Sequence, residues 1–538
     1  MMRNRSAQPL RAIASALLGA TSMLSCAVMA AATEHADIVI QGGTVYTGAE
    51  APSFVGDVVV TGDKVVAVGP NAGARYQAKE VVDARGKIVA PGLIDAHSHP
   101  DTYIRSADQT QRLNSPWLFQ GVSTVVIGVD GGGTPDLAAE NAWFKSHPVG
   151  TNLVPYVGFG AIRVIVLKHD ARAPTPPELD KMRGLVAKGM CEGAVGLSTG
   201  LFYDPQSYAK TDEVIALAKE AAKRGGIYDT HQRDESSYTI GLLASVKETI
   251  DIGREAGMPV HFAHIKALGV DVQGQAPQVI ALIDAARAAG QDVTADQYPW
   301  AASGSSLDAS LLPRWSTDGG RAALLKRLDD PAQLEKIRGE MRENLRRRGG
   351  AQSLLLTAAN RAWTGETLAQ MATKWKMEPI DAALHIIRID EQGTSVASFN
   401  MIEKDIRLFM RQPWVVTSSD GSDGHPRQYA TFPMKYAKYV RADKVISLDE
   451  FIRSSTGRTA DQFKLDRRGY LKPGYFADVV VFDPTRYAPK ADYVHPRELS
   501  AGVEELLVNG RSTLHAGKLT GAAPGQMLLR TPPAGTCP

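Results

Sequence analysis

The sequence predicts an α/β protein built on a (β/α)8 barrel, with a small β domain assembled from both chain ends. Three observations carry this. Between residues 91 and 469, short apolar runs alternate with longer segments of helical period, which is the signature of βα units around a parallel sheet. Eight such runs are present. Short β-like runs stand at both termini, separated by glycine-bearing turns rather than helices. An open doubly wound sheet would show the same alternation, so the count of eight only favours the closed form.

The 538 residues suffice for several ordinary domains or for one large barrel. Hydrophobic residues at 44%, charged residues at 22%, and only 50 Gly and 30 Pro exclude wholesale disorder and a collagen-like repeat. Sixty Lys+Arg against 58 Asp+Glu leave a formal charge of +2, so nothing resembles the basic footprint of a nucleic-acid binder. A small-molecule partner is expected.

In chain order, residues 1–32 read as a signal peptide. Arg3, Arg5 and Arg11 precede an apolar run from Ala12 to Leu24, and small residues follow, so cleavage after Ala30 or Ala32 is expected, with export to the periplasm or beyond. The run is shorter than the ~20 residues a bilayer span requires, and no stable membrane span is expected. A lipoprotein through Cys26 is the lesser alternative, because Leu24 sits one residue nearer the cysteine than the usual lipobox pattern. Loss of the leader leaves Cys191 and Cys537 as the only possible pair, from which no disulfide framework can be argued. Cys191 has no nearby base and reads as an ordinary small side chain.

The small β domain is assigned to 33–90 and 470–538, on β-like runs at 37–41, 57–60, 65–68, 477–482 and 505–510. The barrel strands have cores at 93–96, 123–127, 153–157, 194–197, 226–228, 259–262, 292–295 and 414–417. The stretch from about 302 to 412 is too long for a βα connection and carries helical runs such as 321–348, so it is an insertion expected to lie over the site. The run Arg346-Arg347-Arg348 reads as a solvated helix end.

The chemistry starts at Asp95-Ala-His97-Ser-His99. In an extended chain residues i and i+2 share a face, so His97 and His99 project together at the mouth of the first strand. Alone, His-x-His is a weak signal. Further histidines, His231 and His264, recur at the ends of other strands, and Asp420 follows the eighth. Four imidazoles and a carboxylate can hold one or two divalent ions, and nitrogen-rich ligation favours zinc. His261, at odd spacing from His264, should face elsewhere as a structural histidine. Zinc polarises a carbonyl and brings the pKa of bound water towards neutrality, making hydroxide available to attack an amide. Asp420 is the expected general base and acid, moving the proton from water to the departing amine. Asp423 fits a turn position better.

With these residues the chain resembles the D-aminoacylase (N-acyl-D-amino-acid deacylase) family of the amidohydrolase superfamily. The stretches that carry the resemblance are Ala90-Pro-Gly-Leu-Ile-Asp-Ala-His-Ser-His99, Gly193-Ala-Val-Gly-Leu-Ser-Thr-Gly-Leu201, Gly225 to Glu235, His425 to Pro433 and Gly474 to Asp483. The resemblance implies a distorted barrel of amidohydrolase type and a small β-sandwich domain from both termini. It also implies zinc-dependent hydrolysis of N-acyl-D-amino acids to a carboxylate and a free D-amino acid, with the insertion capping the site. His231 and His264 match the tight zinc position; His97, His99 and Asp420 match the weaker one. The family's third tight-site ligand is usually a cysteine, whereas Gly128-Val129-Asp130-Gly131 places Asp130 in that slot. Asp130 is therefore the expected ligand or bridge, since Leu197-Ser-Thr-Gly200 offers no lysine for a carbamate bridge. For the substrate carboxylate the matching positions are Arg427, Lys266, Tyr298 and Ser303, and Arg233 is plausible because it stands two residues beyond His231. A D-residue dipeptidase or cyclic-amide hydrolase on the same scaffold, and a non-catalytic binding protein, are the competing readings.

Overall fold

The computed structural model describes residues 34–537, so the leader and Cys26 lie outside the described residues. The centre is made of parallel strands: Leu93–Asp95, Val122–Ile127, Asn152–Pro155 continued by Val157–Gly158, Gly196–Gly200, Ile227–His231, Val260–Phe262, Val293–Gln297 and Val415–Thr417. Each overlaps one of the eight expected cores, by as little as two residues at 196–200 and 227–231. Two regular ladders cover them, and backbone hydrogen bonds cross both seams. On one side Val195 N–H donates to Pro155 O at 2.9 Å; on the other Ala96 N–H donates to Thr417 O at 3.3 Å and Asp420 N–H to His97 O at 2.8 Å. Val122–Ile127 is buried along its whole length, as a parallel strand covered by helices should be. The covering helices show the matching stripe. Thr211–Lys223 buries Val214, Leu217, Ala218 and Ala221, at i, i+3, i+4 and i+7, against a core that includes Leu197, Tyr228 and Phe262.

Both chain ends meet in one nine-stranded hydrogen-bonded sheet. The join is the antiparallel pair of Ile88–Pro91 with Val479–Phe482. Strand alternation decides the faces: Val479 and Val481 turn into the sheet's own core with Ile38, Ile40 and Val58, while Val480 and Phe482 pack towards Trp117 and Phe432 of the central unit. The last residues behave differently from the sequence assignment. Beyond Lys518–Leu519 the chain leaves the sheet and straps the central strands, with Gly525 N–H on Val149 O at 2.9 Å and Leu528 N–H on Leu153 O at 2.8 Å. Cys537 ends this strap in a disulfide with Cys191. Cys191 is thus a tether rather than an ordinary small side chain, joined across 346 residues to the one partner a processed chain offers it.

The insertion sits between the seventh and eighth central strands. It forms an antiparallel sheet with Ser395–Phe399 between Ala302–Ser306 and Leu354–Leu356, and a core of its own around Leu324, Ile337, Met341 and Ile386. The helical run expected over 321–348 is two helices, Arg321–Asp329 and Pro331–Arg347. Asp330 separates them by capping the second, accepting from Ala332 N–H at 2.9 Å and Gln333 N–H at 3.2 Å, and Pro331 cannot continue the first. The solvated helix end expected at Arg346-Arg347-Arg348 holds only in part. Arg346 is exposed and paired with Asp271, but Arg348 turns inwards and is 2% exposed. Among the described residues no helix is long and apolar enough to cross a membrane.

Candidate metal centre

The first and eighth strands are fastened together beneath the site. Asp95, fully buried, accepts from Trp117 Nε1 at 2.7 Å and Ser419 N–H at 2.8 Å, and Ser419 Oγ donates to it as well. Burial pushes this carboxyl up to about 7 despite those donors. His97 and His99 leave the first strand just above this junction, and Asp420 leaves the eighth. Asp130 reaches the same place from the turn after the second strand. His231 and His264 come from the ends of the fifth and sixth.

Three of these positions hold left-handed backbone: Asp130 at φ 54°, His264 at 34° and Asp420 at 46°. Such conformations cost on the order of 1–3 kcal/mol each and persist only where the surroundings fix them. Here Gln206 Nε2 donates to Asp130 O at 2.8 Å, His264 N–H donates to Asp296 Oδ1 at 2.8 Å, and Asp420 N–H is held by His97 O.

Asp130 stands at the middle of the cluster. Its Oδ1 lies 3.4 Å from His97 Nε2, 3.6 Å from His264 Nε2 and 3.9 Å from His231 Nδ1, and its Oδ2 lies 3.5 Å from His99 Nε2. Asp420 Oδ1 is 3.3 Å from His99 Nε2 and 3.9 Å from His97 Nε2. Two sets of converging donors result, Asp130 with His231 and His264, and Asp130 with His97 and His99; a third joins His97, His264 and Asp420. His97 Nε2, His231 Nδ1 and Asp130 Oδ1 are buried with no hydrogen-bond partner among the described residues. Buried polar atoms are rarely left so, and this nitrogen-rich set with a shared carboxylate fits zinc.

The electrostatics are those of a cluster crowded with carboxylates: despite burial, Asp130 and Asp420 push His99 and His264 up to about 10, so a bound cation must displace their protons, while the other ligands are already in the form that binds. Burial would raise Asp130, yet the imidazoles of His97, His264 and His99 crowded around it hold it well below the usual carboxylate range. Asp420, also buried, is held low by Arg427 and His264. Burial brings His231 down to about 3, so its imidazole is neutral and able to donate a lone pair.

Glu235, which carried no assigned role in the sequence reading, orients two of the imidazoles. Its Oε2 lies 3.5 Å from His231 Nε2, and its Oε1 lies 3.2 Å from His264 Nδ1 and 2.6 Å from Lys266 Nζ. Groups that fix a ligand's orientation in this way tune affinity. The spacing of four from His231 was the available signal. His261 faces away from the cluster, between Thr294 and Asp296, as a structural histidine.

Next to the cluster lies a narrow cleft whose wall includes His231, Glu235, Lys266, Ser303, Arg348 and Asp420. Arg427 Nη1 is 2.6 Å from Asp420 Oδ2, and its guanidinium lies 5.0 Å from the Tyr298 ring centroid. The Tyr298 hydroxyl is buried with no partner among the described residues. A Cβ at Gly304 would stand 2.7 Å from Arg427 Nη2, so glycine lets the insertion lie directly on that guanidinium. Arg233 does not join these residues. It forms a bidentate pair with Glu248, Nε to Oε2 at 2.9 Å and Nη2 to Oε1 at 2.9 Å. The expectation failed because the strand stops at His231, and the same-face rule for i+2 stops with it.

Comparison with known proteins agrees with this architecture. Residues 80–514 match the amidohydrolase family. The chain is 31% identical to the D-aminoacylase of Alcaligenes xylosoxydans xylosoxydans over 92% of this chain and 98% of the relative. It is 32% identical to the N-acyl-D-aspartate deacylase of the same organism, over 92% and 96% of the two chains. A solved structure of the N-acyl-D-glutamate deacylase from Bordetella bronchiseptica, with zinc and a phosphonate inhibitor that mimics the tetrahedral intermediate, superposes with a TM-score of 0.76 at 28% identity, covering 92% of this chain and 100% of that one. The chain belongs to the amidohydrolase family, in its D-aminoacylase branch.

Proposed function

We propose that the protein hydrolyses the amide bond of N-acyl-D-amino acids, releasing a carboxylate and a free D-amino acid, in a zinc-dependent reaction. The eight central strands are read as the distorted (β/α)8 barrel of this family, and the folded terminal sheet as its β-sandwich domain. The observation that carries the activity is the convergence of His97, His99, His231 and His264 on Asp130, with Asp420, paired to Arg427, on the wall of the adjoining cleft. The substrates of the two relatives support the choice of an N-acyl-D-amino acid.

Zinc held by these residues supplies carbonyl polarisation and a lowered water pKa. The chain's own groups do the rest. Asp420 is ionised at neutral pH, takes the proton of the attacking water, and returns it to the departing amine nitrogen. Arg427 holds the second oxygen of Asp420, which fixes the plane of that carboxylate, and with Tyr298 and Ser303 it offers donors to the substrate α-carboxylate. Lys266, neutralised by Glu235, keeps His264 oriented from the same wall.

The test is a panel of N-acetyl-D-amino acids, N-acetyl-L-amino acids and D-residue dipeptides, run with and without chelator. Turnover confined to the N-acetyl-D members and abolished by chelator is expected; preferential cleavage of dipeptides would overturn the reading. Asp420→Asn should retain zinc and lose at least about 100-fold in kcat. Undiminished turnover would remove Asp420 from its role.

The same proposal extends to export. The basic and apolar leader supports it, and so does the Cys191–Cys537 disulfide, since such bonds persist in oxidising compartments. N-terminal sequencing of the protein from the native cell should begin near residue 31 or 33; an intact leader on cytosolic protein would refute it.

A further inference from the structure

The cleft has a cationic end that the hydrolytic reading leaves unused. Arg348 lies just past the helix Pro331–Arg347 of the insertion, buried on the cleft wall. Its neighbours Arg346 and Arg347 pair with Asp271 and Glu343. Arg348 instead donates from Nε to the Tyr238 hydroxyl at 2.5 Å and from Nη1 to the Ser398 hydroxyl at 3.2 Å. Among the described residues no carboxylate pairs with it, and no protein group accepts from Nη2.

Burying a guanidinium against two neutral hydroxyls is expensive unless an anion completes it. Lys266 and Arg427, on or beside this wall, already have theirs in Glu235 and Asp420. The route from the metal ligands to Arg348 is aromatic. The His231 ring stacks on Phe202 at 5.6 Å, Phe202 meets Tyr238 edge-on at 5.4 Å, and the Arg348 guanidinium lies 5.6 Å from the Tyr238 ring. Arg314, likewise without a carboxylate partner among the described residues, lies 3.9 Å from the Phe202 centroid and adds positive potential. A wall that is apolar for a few atoms and then cationic suits a short aliphatic chain ending in a carboxylate.

The geometry points to Arg348 as the recognition group for a second carboxylate on the substrate, several atoms from the scissile amide, so that the preferred substrate is a dicarboxylic N-acyl-D-amino acid. This rests on the deacylase reading and deepens it. Tyr238 and Ser398 hold the guanidinium plane, leaving Nη2 to donate to the carboxylate. The second carboxylate belongs either to an acidic side chain or to a dicarboxylic acyl group.

The experiment compares kcat/KM of the zinc-loaded enzyme for N-acetyl-D-glutamate against N-acetyl-D-glutamine, and for N-succinyl-D-leucine against N-butanoyl-D-leucine. One carboxylate-bearing member should exceed its neutral counterpart by roughly 10- to 100-fold, the range of a charge-assisted hydrogen bond, and which one does so identifies the source. In Arg348→Met the advantage should collapse, chiefly through KM, and Arg348→Lys should restore part of it. Persistence of the advantage in Arg348→Met overturns the assignment. Should that variant fail to fold, the unmodified enzyme still decides, because turnover of the neutral members with no gain from either second carboxylate overturns it equally. Absence of turnover on all four would refute the deacylase reading and this inference with it.

Discussion

Asp130→Asn isolates the contribution of the carboxylate that stands where the family usually has a cysteine. Its two oxygens lie within 3.4–3.9 Å of four imidazole nitrogens, and it belongs to two of the converging donor sets. Asparagine keeps the shape but offers one acceptor oxygen and no charge. One set then has only a neutral carbonyl and the other only an amide N–H, which cannot ligate. Loss of one charge-assisted interaction is worth about 1.5–3 kcal/mol, so zinc affinity should fall roughly 10- to 100-fold or more. The assay is zinc content and thermal stability after equilibration in chelator-buffered zinc, which reads ligation without turnover. The left-handed backbone at Asp130 is kept by asparagine, which tolerates it well, so a loss of affinity is not a folding artefact. Zinc binding by Asp130→Asn with unmodified affinity would refute the shared-carboxylate geometry.

Two further predictions concern groups outside the metal cluster. Burial pushes the Lys435 ammonium down to about 7, while an unfolded lysine keeps its proton to about 10.4, so between those values the unfolded chain binds more protons and this side chain makes stability rise with pH. Lys435→Met should flatten that rise between pH 7 and 9, because Thr417 Oγ1, the acceptor it loses, still pairs with Ser455 Oγ at 2.8 Å; parallel Tm profiles for both proteins would show that Lys435 does not titrate there. Arg233→Lys should leave kcat/KM within about threefold while costing about 1–2 kcal/mol of stability, since lysine cannot reproduce the bidentate pair with Glu248. A tenfold loss of kcat/KM at unmodified Tm would return Arg233 to the substrate.

Much of the site was readable because it obeys local rules. The eight strands declare themselves through apolar runs between helical segments, and the candidate ligands sit where strands end, so His97, His99, His231, His264 and Asp420 are legible as a set without any knowledge of contacts. Asp130 was legible only by alignment with a family motif, because a lone aspartate among glycines looks like any turn. Glu235 went unassigned and Arg233 was misplaced for one reason: both follow His231, where the strand stops and its two-residue periodicity no longer predicts direction.

The sequence by itself thus determined the element order, the insertion and the ligand types, all properties of neighbours along the chain. Only the tertiary structure decided what depends on distant segments meeting. Asp95 clasps Ser419 from the far end of the central unit, Cys191 finds Cys537 across 346 residues, and Asp130 comes within reach of four imidazoles carried on three strand ends. Arg348 shows the difference most plainly. Three consecutive arginines have identical local chemistry, and about 100° of helical rotation separates each from the next, so which one is buried depends on what the helix end packs against.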